Sequence, residues 1–303
     1  MQNWKTRDIM NIMTKQLPSP FYDPLKTYEE NYHEGPFGAF VDGKFYQEKE
    51  EPQYEILGQK VYLPFGIPAG PLVNSKFITA AFDKGFDIAV YKTVRTHQYP
   101  CNDFPNIVPI SIDHDLSLEQ AEKGVIATNN FTYSLTITNS FGVPSFPPEI
   151  WQKDMAQAII ESEKRPGKLV IGSFQGTTNP EGDTKAYIKD FAIAAKMVKE
   201  TGAKVLEVNL SCPNEGSSNL LCFDTKRATE VVIAIKEEIG DTPLIIKLAY
   251  FKEESALKKL ITEVGDLVQG IAAINTIPAK IYKDAAHTKQ ALPGKNRLIS
   301  GTC

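Results

Sequence analysis

The segment Leu206-Glu-Val-Asn-Leu-Ser-Cys-Pro-Asn214 carries the strongest indication of both fold and chemistry in this chain. Its apolar first half predicts a buried strand. Three neutral hydrogen-bonding side chains and a thiol follow at the mouth of that strand, where they suit a planar polar ligand: Asn209, Ser211, Asn214 and Cys212. A thiol that deprotonates can act as a general base, although a lone cysteine is more often a small buried core residue.

The sequence on either side of this segment alternates short apolar strands with helical patterns. Strands are predicted at residues 65–70, 87–94, 168–176, 203–212, 243–251 and 270–281, and helices at 75–85, 149–165, 184–202, 223–240 and 254–266. Repeated strand–helix units with continuous apolar strands predict an α/β fold, a parallel sheet covered by helices. In a (β/α)8 TIM barrel, the active site lies at the carboxyl ends of such strands.

Three segments do not follow the alternation. Residues 1–53 are rich in aromatic and turn residues, and we interpret them as an irregular extension that precedes a barrel domain at 54–303. Residues 54–63 predict a β-hairpin because apolar residues alternate around a central glycine. Residues 95 to about 135 are rich in Asn, Asp and Pro and form an insertion that is too long for an ordinary connection.

Composition narrows the class of protein. The chain has 303 residues, of which 42% are hydrophobic, and it can bury the core of one barrel with an extension. Its net charge of -4 argues against a nucleic-acid partner held by phosphate neutralisation. No apolar run is long enough to span a membrane, and four widely spaced cysteines without a CxxC pair argue for free thiols in a reducing cytoplasm.

Further polar residues fall at the ends of predicted strands. Lys92 and Lys247 lie within apolar strands, and two cations at one barrel mouth predict an anionic ligand or a reduced, negatively charged cofactor ring. Ala69-Gly70 follows the first strand and would let a flat ring approach the backbone. Asn139-Ser-Phe-Gly142 offers amide and backbone contacts or a plain turn, and Asn275-Thr276 repeats the polar pattern.

Six segments resemble the dihydroorotate dehydrogenases in their order and rough spacing: IPAGPLVNS, VYKTVRT, TNSFGVP, AKVLEVNLSCPN, IIKLAYF and AAINTI. The resemblance covers about residues 54–303 and is to the soluble branch, in which the base is Cys rather than Ser. The catalytic domain of dihydropyrimidine dehydrogenase is a close relative of that branch. The resemblance implies an FMN-dependent barrel that oxidises dihydroorotate, or a related dihydropyrimidine, to orotate in pyrimidine biosynthesis.

The resemblance also implies a role for each motif residue. Cys212 would take the C5 proton of the substrate while the C6 hydride passes to flavin N5, and Lys92 would touch both flavin and substrate. The substrate would further contact Asn139, Ser140, Phe141, Gly142, Val143, Asn209, Asn214, Asn275 and Thr276. The flavin would further contact Ala69, Gly70, Thr93, Asn139, Asn209, Lys247 and Asn275.

The C-terminal part departs from the family pattern. Family members continue after the strand at 270–281 into two more strand–helix units, whose glycine-rich loops hold the FMN phosphate. We therefore expect only about six of the eight units, in a barrel domain that is incomplete at its C-terminus.

Several functional questions stay open on the sequence. The alternatives are a truncated or degenerate relative that acts as a non-catalytic binding module, and a lyase that forms a Schiff base on Lys92 or Lys247. The electron acceptor is not identified: fumarate, NAD through a partner subunit and quinone are all candidates, and quinone is the least favoured because no hydrophobic N-terminal helix is predicted. The resemblance implies a homodimer, the common oligomeric state of the family.

Overall fold

The computed structural model describes residues 21–48, 50–131, 136–178, 182–211, 220–294 and 297–302. Its strands are β1 (Tyr54–Ile56), β2 (Gln59–Val61), β3 (Gly66–Ile67), β4 (Ile88–Val90), β5 (Ile107–Pro109), β6 (Val125–Ile126), β7 (Ile137–Asn139), β8 (Leu169–Phe174), β9 (Leu206–Asn209), β10 (Leu244–Lys247), β11 (Gly270–Ala272), β12 (Ile277–Tyr282) and β13 (Ile299–Thr302). Its α-helices are α1 (Tyr28–Glu34), α2 (Ser75–Asp83), α3 (Leu118–Lys123), α4 (Pro148–Glu163), α5 (Thr184–Glu200), α6 (Thr225–Ile239) and α7 (Glu254–Val264), and 3-10 turns span Gly38–Val41 and Leu221–Phe223.

A parallel sheet forms the centre of the fold, with the strand order β3-β4-β8-β9-β10-β11. Every neighbouring pair in it is parallel. All six residues of β8 are buried, as expected for a strand covered on both faces. Because parallel strands run in one direction, their carboxyl ends meet at one edge of the sheet. The mixed α/β architecture with a parallel sheet is confirmed, whereas closure into a (β/α)8 barrel and the number of units stay predictions.

The helices follow the apolar periodicity of the sequence, and their predicted positions are confirmed to within a few residues. Helix α5 is capped at its N-terminus by Asp183, whose side chain accepts a hydrogen bond from the Lys185 amide at 2.8 Å. Its buried face repeats every three or four residues: Tyr187, Phe191, Ala194 and Val198. A Cβ at Gly172 of β8 would lie 2.4 Å from Val198 Cγ1, so the helix packs directly on the strand backbone. In the described part of the chain, we find no helix with both the length and the apolar character needed to cross a membrane.

A second sheet has the order β5-β7-β13-β12-β6. The insertion predicted at residues 95 to about 135 supplies β5, α3 and β6, and its residues 132–135 lie outside the described residues. The single strand predicted at 270–281 is wrong, because β11 ends at Ala272 and β12 starts at Ile277 in the other sheet. Apolar residues lie on both sides of Asn275-Thr276, so the sequence predicts one continuous strand where the structure has two. The hairpin predicted at 54–63 is confirmed as the antiparallel pair β1–β2.

The segment before the first strand packs on the main core. The helix α1 starts with a capping box, in which Thr27 Oγ1 accepts from the Glu30 amide at 3.2 Å and Glu30 Oε2 accepts from the Thr27 amide at 2.7 Å. Tyr22 and Tyr28 are buried in the same cluster as Phe77 of α2. This part of the predicted irregular extension therefore contains a helix, and residues 1–20 lie outside the described residues. The domain boundary at residue 54 stays a prediction.

Asp87 couples the hairpin to the parallel sheet, and its side chain is fully buried. It accepts from the Leu63 amide at 2.6 Å and forms an ion pair with Lys168. We expect Asp87→Ala to lower the free energy of unfolding by at least about 2 kcal/mol, because Lys168 then loses its nearest carboxylate, and Glu48 is more distant from it, at 3.6 Å. Urea denaturation followed by circular dichroism measures the loss.

The matched control for this variant is Glu119→Ala, which removes an exposed ion pair between Glu119 and Lys123 within α3. We expect it to cost about 0.5 kcal/mol or less. A loss of similar size in both variants would contradict the structural role of Asp87.

Candidate active site

Buried polar side chains converge at the carboxyl ends of β4, β8, β9 and β10. The members of this group are Lys92, Thr93, Ser173, Gln175, Glu207, Asn209, Ser211 and Lys247. A buried polar group is costly unless it is hydrogen-bonded, so the partners of these side chains fix their positions.

Asn209, the last residue of β9, is the centre of one hydrogen-bond network. Its Oδ1 accepts from the amide of Ser211 at 3.2 Å and from the Ser211 hydroxyl at 2.9 Å. Asn275, in the link between the two sheets, donates from Nδ2 to the same hydroxyl at 2.9 Å. The structure therefore brings together three residues that the sequence predicted for one site.

Gln175, just beyond β8, extends this network to Arg95. Its carboxamide lies 2.8 Å from Asn209 Nδ2 and 2.7 Å from Arg95 Nη2. Both neighbours are donors, so the single Gln175 oxygen accepts from one of them in each orientation of the amide. Sequence reasoning missed Gln175 and Arg95, which are identified only by contacts between distant segments.

A second network joins β9, β8 and the segment just after β4. Glu207 Oε1 accepts from Ser173 Oγ at 2.9 Å, and Ser173 Oγ lies 3.0 Å from Thr93 Oγ1. Burial raises the pKa of Glu207, and the nearby Lys247 charge and the Ser173 hydroxyl offset part of that rise. Sequence reasoning missed Glu207 and Ser173. A charged residue inside an apolar strand, the same signal that selected Lys92 and Lys247, could have identified Glu207.

The two predicted lysines are both buried, at 6% exposure for Lys92 and 7% for Lys247. Lys247 Nζ donates to the Ala69 carbonyl at 3.2 Å, which joins the end of β10 to the segment after β3. Gly70 has φ of 144°, and a Cβ there would meet nothing within 4 Å. Open space beside a small-residue backbone and an ammonium group suits the edge of a flat ring that carries negative charge.

Residues 139–143 connect the second sheet to the parallel sheet. Asn139 ends β7, and its Nδ2 lies 3.5 Å from the Gly301 carbonyl. Thr276 packs on the same residue, since a Cβ at Gly301 would lie 2.5 Å from Thr276 Oγ1. Asn139 and Thr276 therefore meet at Gly301 in the second sheet.

The remainder of this loop is held by other neighbours. The Ser140 amide donates to the Asn106 carbonyl at 2.7 Å. The Phe141 ring packs edge-on against Tyr22 at 5.7 Å, and the Val143 carbonyl accepts from Arg95 Nε at 3.0 Å. The side chains of Arg95 and Gln175 therefore lie between this loop and Asn209.

The predicted base Cys212 and the predicted ligand Asn214 lie outside the described residues. Ser211, the residue before Cys212, is described and lies at the strand mouth. Burial raises the pKa of Cys101 to about 12, and that of Cys222 also rises on burial. Neither of these described thiols is suited to act as a thiolate base near neutral pH. No group of three or more His, Cys, Asp or Glu side chains able to hold a metal occurs among the described residues.

Comparisons with a family model and with individual proteins all find similarity to dihydroorotate dehydrogenases. The family model for dihydroorotate dehydrogenase matches residues 128–302. The chain is 32% identical over 299 residues to a dihydroorotate dehydrogenase of Dictyostelium discoideum, which covers 95% of this chain and 79% of that protein. It is 31% identical over 144 residues to the catalytic subunit of dihydroorotate dehydrogenase B (NAD(+)) of Pyrococcus horikoshii, covering 47% of this chain and 42% of that protein. The corresponding subunit of Maridesulfovibrio salexigens is 40% identical over 58 residues, which is 19% of each chain.

The buried Glu207 predicts a dependence of stability on pH. Because its folded-state pKa is raised above its ordinary value of 4.5, the folded protein holds this proton more tightly than the unfolded chain. The associated stability is fully present below that value and is lost as the pH rises through the folded-state pKa.

We expect Glu207→Gln to show a smaller fall in the free energy of unfolding than the native protein as the pH rises from about 4.5 to 7. The amide keeps an oxygen for the Ser173 hydroxyl but cannot ionise. Urea denaturation at a series of pH values measures both profiles. Parallel profiles would show that Glu207 does not titrate differently in the two states.

Proposed function

The chain belongs to the dihydroorotate dehydrogenase family of oxidoreductases, and we propose that it oxidises dihydroorotate, or a closely related dihydropyrimidine, to orotate with FMN as cofactor. The observation that carries this proposal is the network in which Asn209, Ser211 and Asn275 are bonded to one another at the strand ends. Two buried lysines at the same edge supply positive charge for an anionic substrate and for the cofactor.

The substrate site in this proposal is built from carboxamides and one ammonium group. Dihydroorotate has amide and imide groups around its ring and one carboxylate, and a carboxamide offers both donors and an acceptor. Asn209 and Asn275 are held in one orientation by Ser211, which prepares them for a ligand of fixed shape. The proposed substrate contacts are Lys92, Asn139, Ser140, Phe141, Gly142, Val143, Asn209, Asn214, Asn275 and Thr276.

The residues at the other side of the site fit the ring system of FMN. Gly70 has open space beside its backbone, and Lys247 is fixed nearby by its bond to the Ala69 carbonyl. Its ammonium group favours the part of the ring system that becomes negative on reduction. The other proposed cofactor contacts are Lys92, Thr93, Asn139, Asn209 and Asn275. When bound, FMN supplies the hydride acceptor.

We assign the proton transfer to Cys212. Its thiolate removes the C5 proton while the C6 hydride leaves the ring, and the C5–C6 double bond of orotate forms from these two losses. Lys92 and the asparagines hold the ring so that both hydrogens face the correct partners. The described thiols Cys101 and Cys222 are not alternatives, because burial raises the pKa of both.

The electron acceptor, the pathway and the assembly are further parts of the proposal. The relatives from Pyrococcus horikoshii and Maridesulfovibrio salexigens are named as NAD(+) enzymes, whereas the name of the Dictyostelium discoideum relative specifies no acceptor. We propose fumarate or an NAD-linked partner protein as the acceptor, and pyrimidine biosynthesis in the cytoplasm, in a possible homodimer, as the setting.

The direct test of this function uses the purified protein supplied with FMN. We expect a flavin absorption band that stays with the protein through gel filtration, and orotate formation from dihydroorotate with fumarate or an artificial dye as acceptor. Protein that binds neither FMN nor substrate would support a non-catalytic binding module. A borohydride-trapped substrate adduct on Lys92 or Lys247 would support a lyase.

We expect Cys212→Ala to abolish orotate formation while FMN binding is retained, because the variant removes only the base. Cys212→Ser should keep weak activity at neutral pH, since a hydroxyl is a poorer base than a thiol without a helper. Steady-state rates and the flavin content of both variants check this. Normal turnover of either variant would show that the base is another group.

We expect Lys247→Met to weaken FMN binding about tenfold, because a charged hydrogen-bond donor is lost without a large change in volume. The dissociation constant is measured from the quenching of FMN fluorescence. Lys258→Met is the matched control, since Lys258 is exposed on α7 in a pair with Glu254. Equal dissociation constants for the Lys247 variant and the native protein would show that Lys247 does not contribute to FMN binding.

A further inference from the structure

We propose that Arg95 is a positioning residue that sets the shape of the substrate loop, residues 139–145, relative to Asn209. The inference rests on the proposed function, which assigns this loop to the substrate. Arg95 lies just after Lys92 and Thr93, and its side chain is only 1% exposed.

The guanidinium group of Arg95 joins two separate segments. Towards the loop, Nε donates to the Val143 carbonyl at 3.0 Å and Nη2 lies 3.5 Å from the Gly142 carbonyl. Towards the end of β8, Nη1 donates to the Gly176 carbonyl at 3.1 Å and to Thr177 Oγ1 at 2.8 Å. A planar group with several fixed donors can hold two backbones at one spacing, which a lysine cannot do.

The loop needs such a support because of its backbone conformation. Gly142 has φ of 79° and Val143 has φ of 54°. Positive φ is unfavourable for a β-branched residue such as Val143 and persists only where the surroundings hold it. Arg95 contacts the carbonyl groups of both residues, so it acts at the strained part of the loop.

The neighbours of Arg95 fix the guanidinium in turn. The Tyr99 ring lies beneath it, with its centroid 4.1 Å from Arg95 Cζ. Tyr99 exchanges two backbone hydrogen bonds with Ser145, at 2.8 and 3.0 Å, and the Arg95 amide donates to Ser145 Oγ at 3.1 Å. The loop is therefore bound to the Arg95–Tyr99 segment both at Gly142 and Val143 and at Ser145.

Gln175 connects this arrangement to the proposed substrate site. Its carboxamide lies between Arg95 Nη2 and Asn209 Nδ2, at 2.7 and 2.8 Å. The bonds described for Lys247 and Ala69 do not involve Arg95. Changing Arg95 should therefore disturb the spacing of the substrate contacts and leave the proposed cofactor contacts at Ala69 and Lys247 in place.

The test is Arg95→Lys in the FMN-loaded protein. Lysine keeps the positive charge but lacks the planar guanidinium group with its several fixed donors. We therefore expect KM for dihydroorotate to rise about tenfold, with kcat within about threefold of the native value. The dissociation constant for orotate, measured from the change in flavin absorption, should rise by the same factor. FMN content should match that of the native protein.

Trp151 reports whether the variant keeps its local fold. Its Nε1 donates to the Arg95 carbonyl at 3.1 Å, and the ring is buried. The sequence contains one other tryptophan, Trp4, so in a Trp4→Phe background the emission comes from Trp151 alone. Native emission with a raised KM supports positioning. Arg165→Lys, at the partly exposed pair of Arg165 with Asp83, is the matched control and should leave KM unchanged.

Thr177→Val tests the role of Arg95 even if Arg95→Lys fails to fold. Thr177→Val removes one acceptor of the guanidinium, and we expect it to raise KM about threefold, whereas Thr177→Ser keeps the hydroxyl and should behave as native. Unchanged KM and orotate affinity in Thr177→Val, or in folded Arg95→Lys, would overturn the inference while the proposed function stands. Native protein that neither binds nor oxidises these ligands would instead overturn the proposed function, and the inference with it.

Discussion

The carboxyl ends of the central strands bury several polar side chains, and these side chains form hydrogen bonds with one another. Asn209 accepts twice from Ser211, and Asn275 donates to the same hydroxyl. Glu207 is bonded to Ser173, which lies against Thr93. Because an unbonded buried polar group is costly, these networks allow few alternative arrangements, and the strand ends are fixed before any ligand binds.

The two sheets contribute different parts of the proposed site. The parallel sheet supplies the small-residue backbone at Ala69-Gly70 and the ammonium of Lys247, which suit the cofactor. The second sheet supplies the loop that starts at Asn139, which suits the substrate. A hydride transfer needs these two partners at a fixed spacing, so the contacts that join the sheets matter as much as the contacts to either ligand.

The sequence predicts the parallel sheet and three members of the hydrogen-bond network at its strand ends for one physical reason. A polar residue that directly follows a continuous apolar strand stands out, as Asn209, Ser211 and Asn275 do. Strands β5, β6 and β7 are only two or three residues long, so their periodicity is too short to be recognised within residues 95–135 and just beyond. Arg95 and Gln175 could not be predicted, because their roles come from contacts between segments that are distant along the chain.

The central claim is that this arrangement oxidises a dihydropyrimidine ring by passing its hydride to bound FMN. The most direct measurement adds dihydroorotate to the FMN-loaded protein in the absence of oxygen and of any acceptor. We expect the flavin absorption band to disappear as one equivalent of orotate forms per bound FMN. A band that persists at saturating dihydroorotate, with no orotate formed, would contradict it.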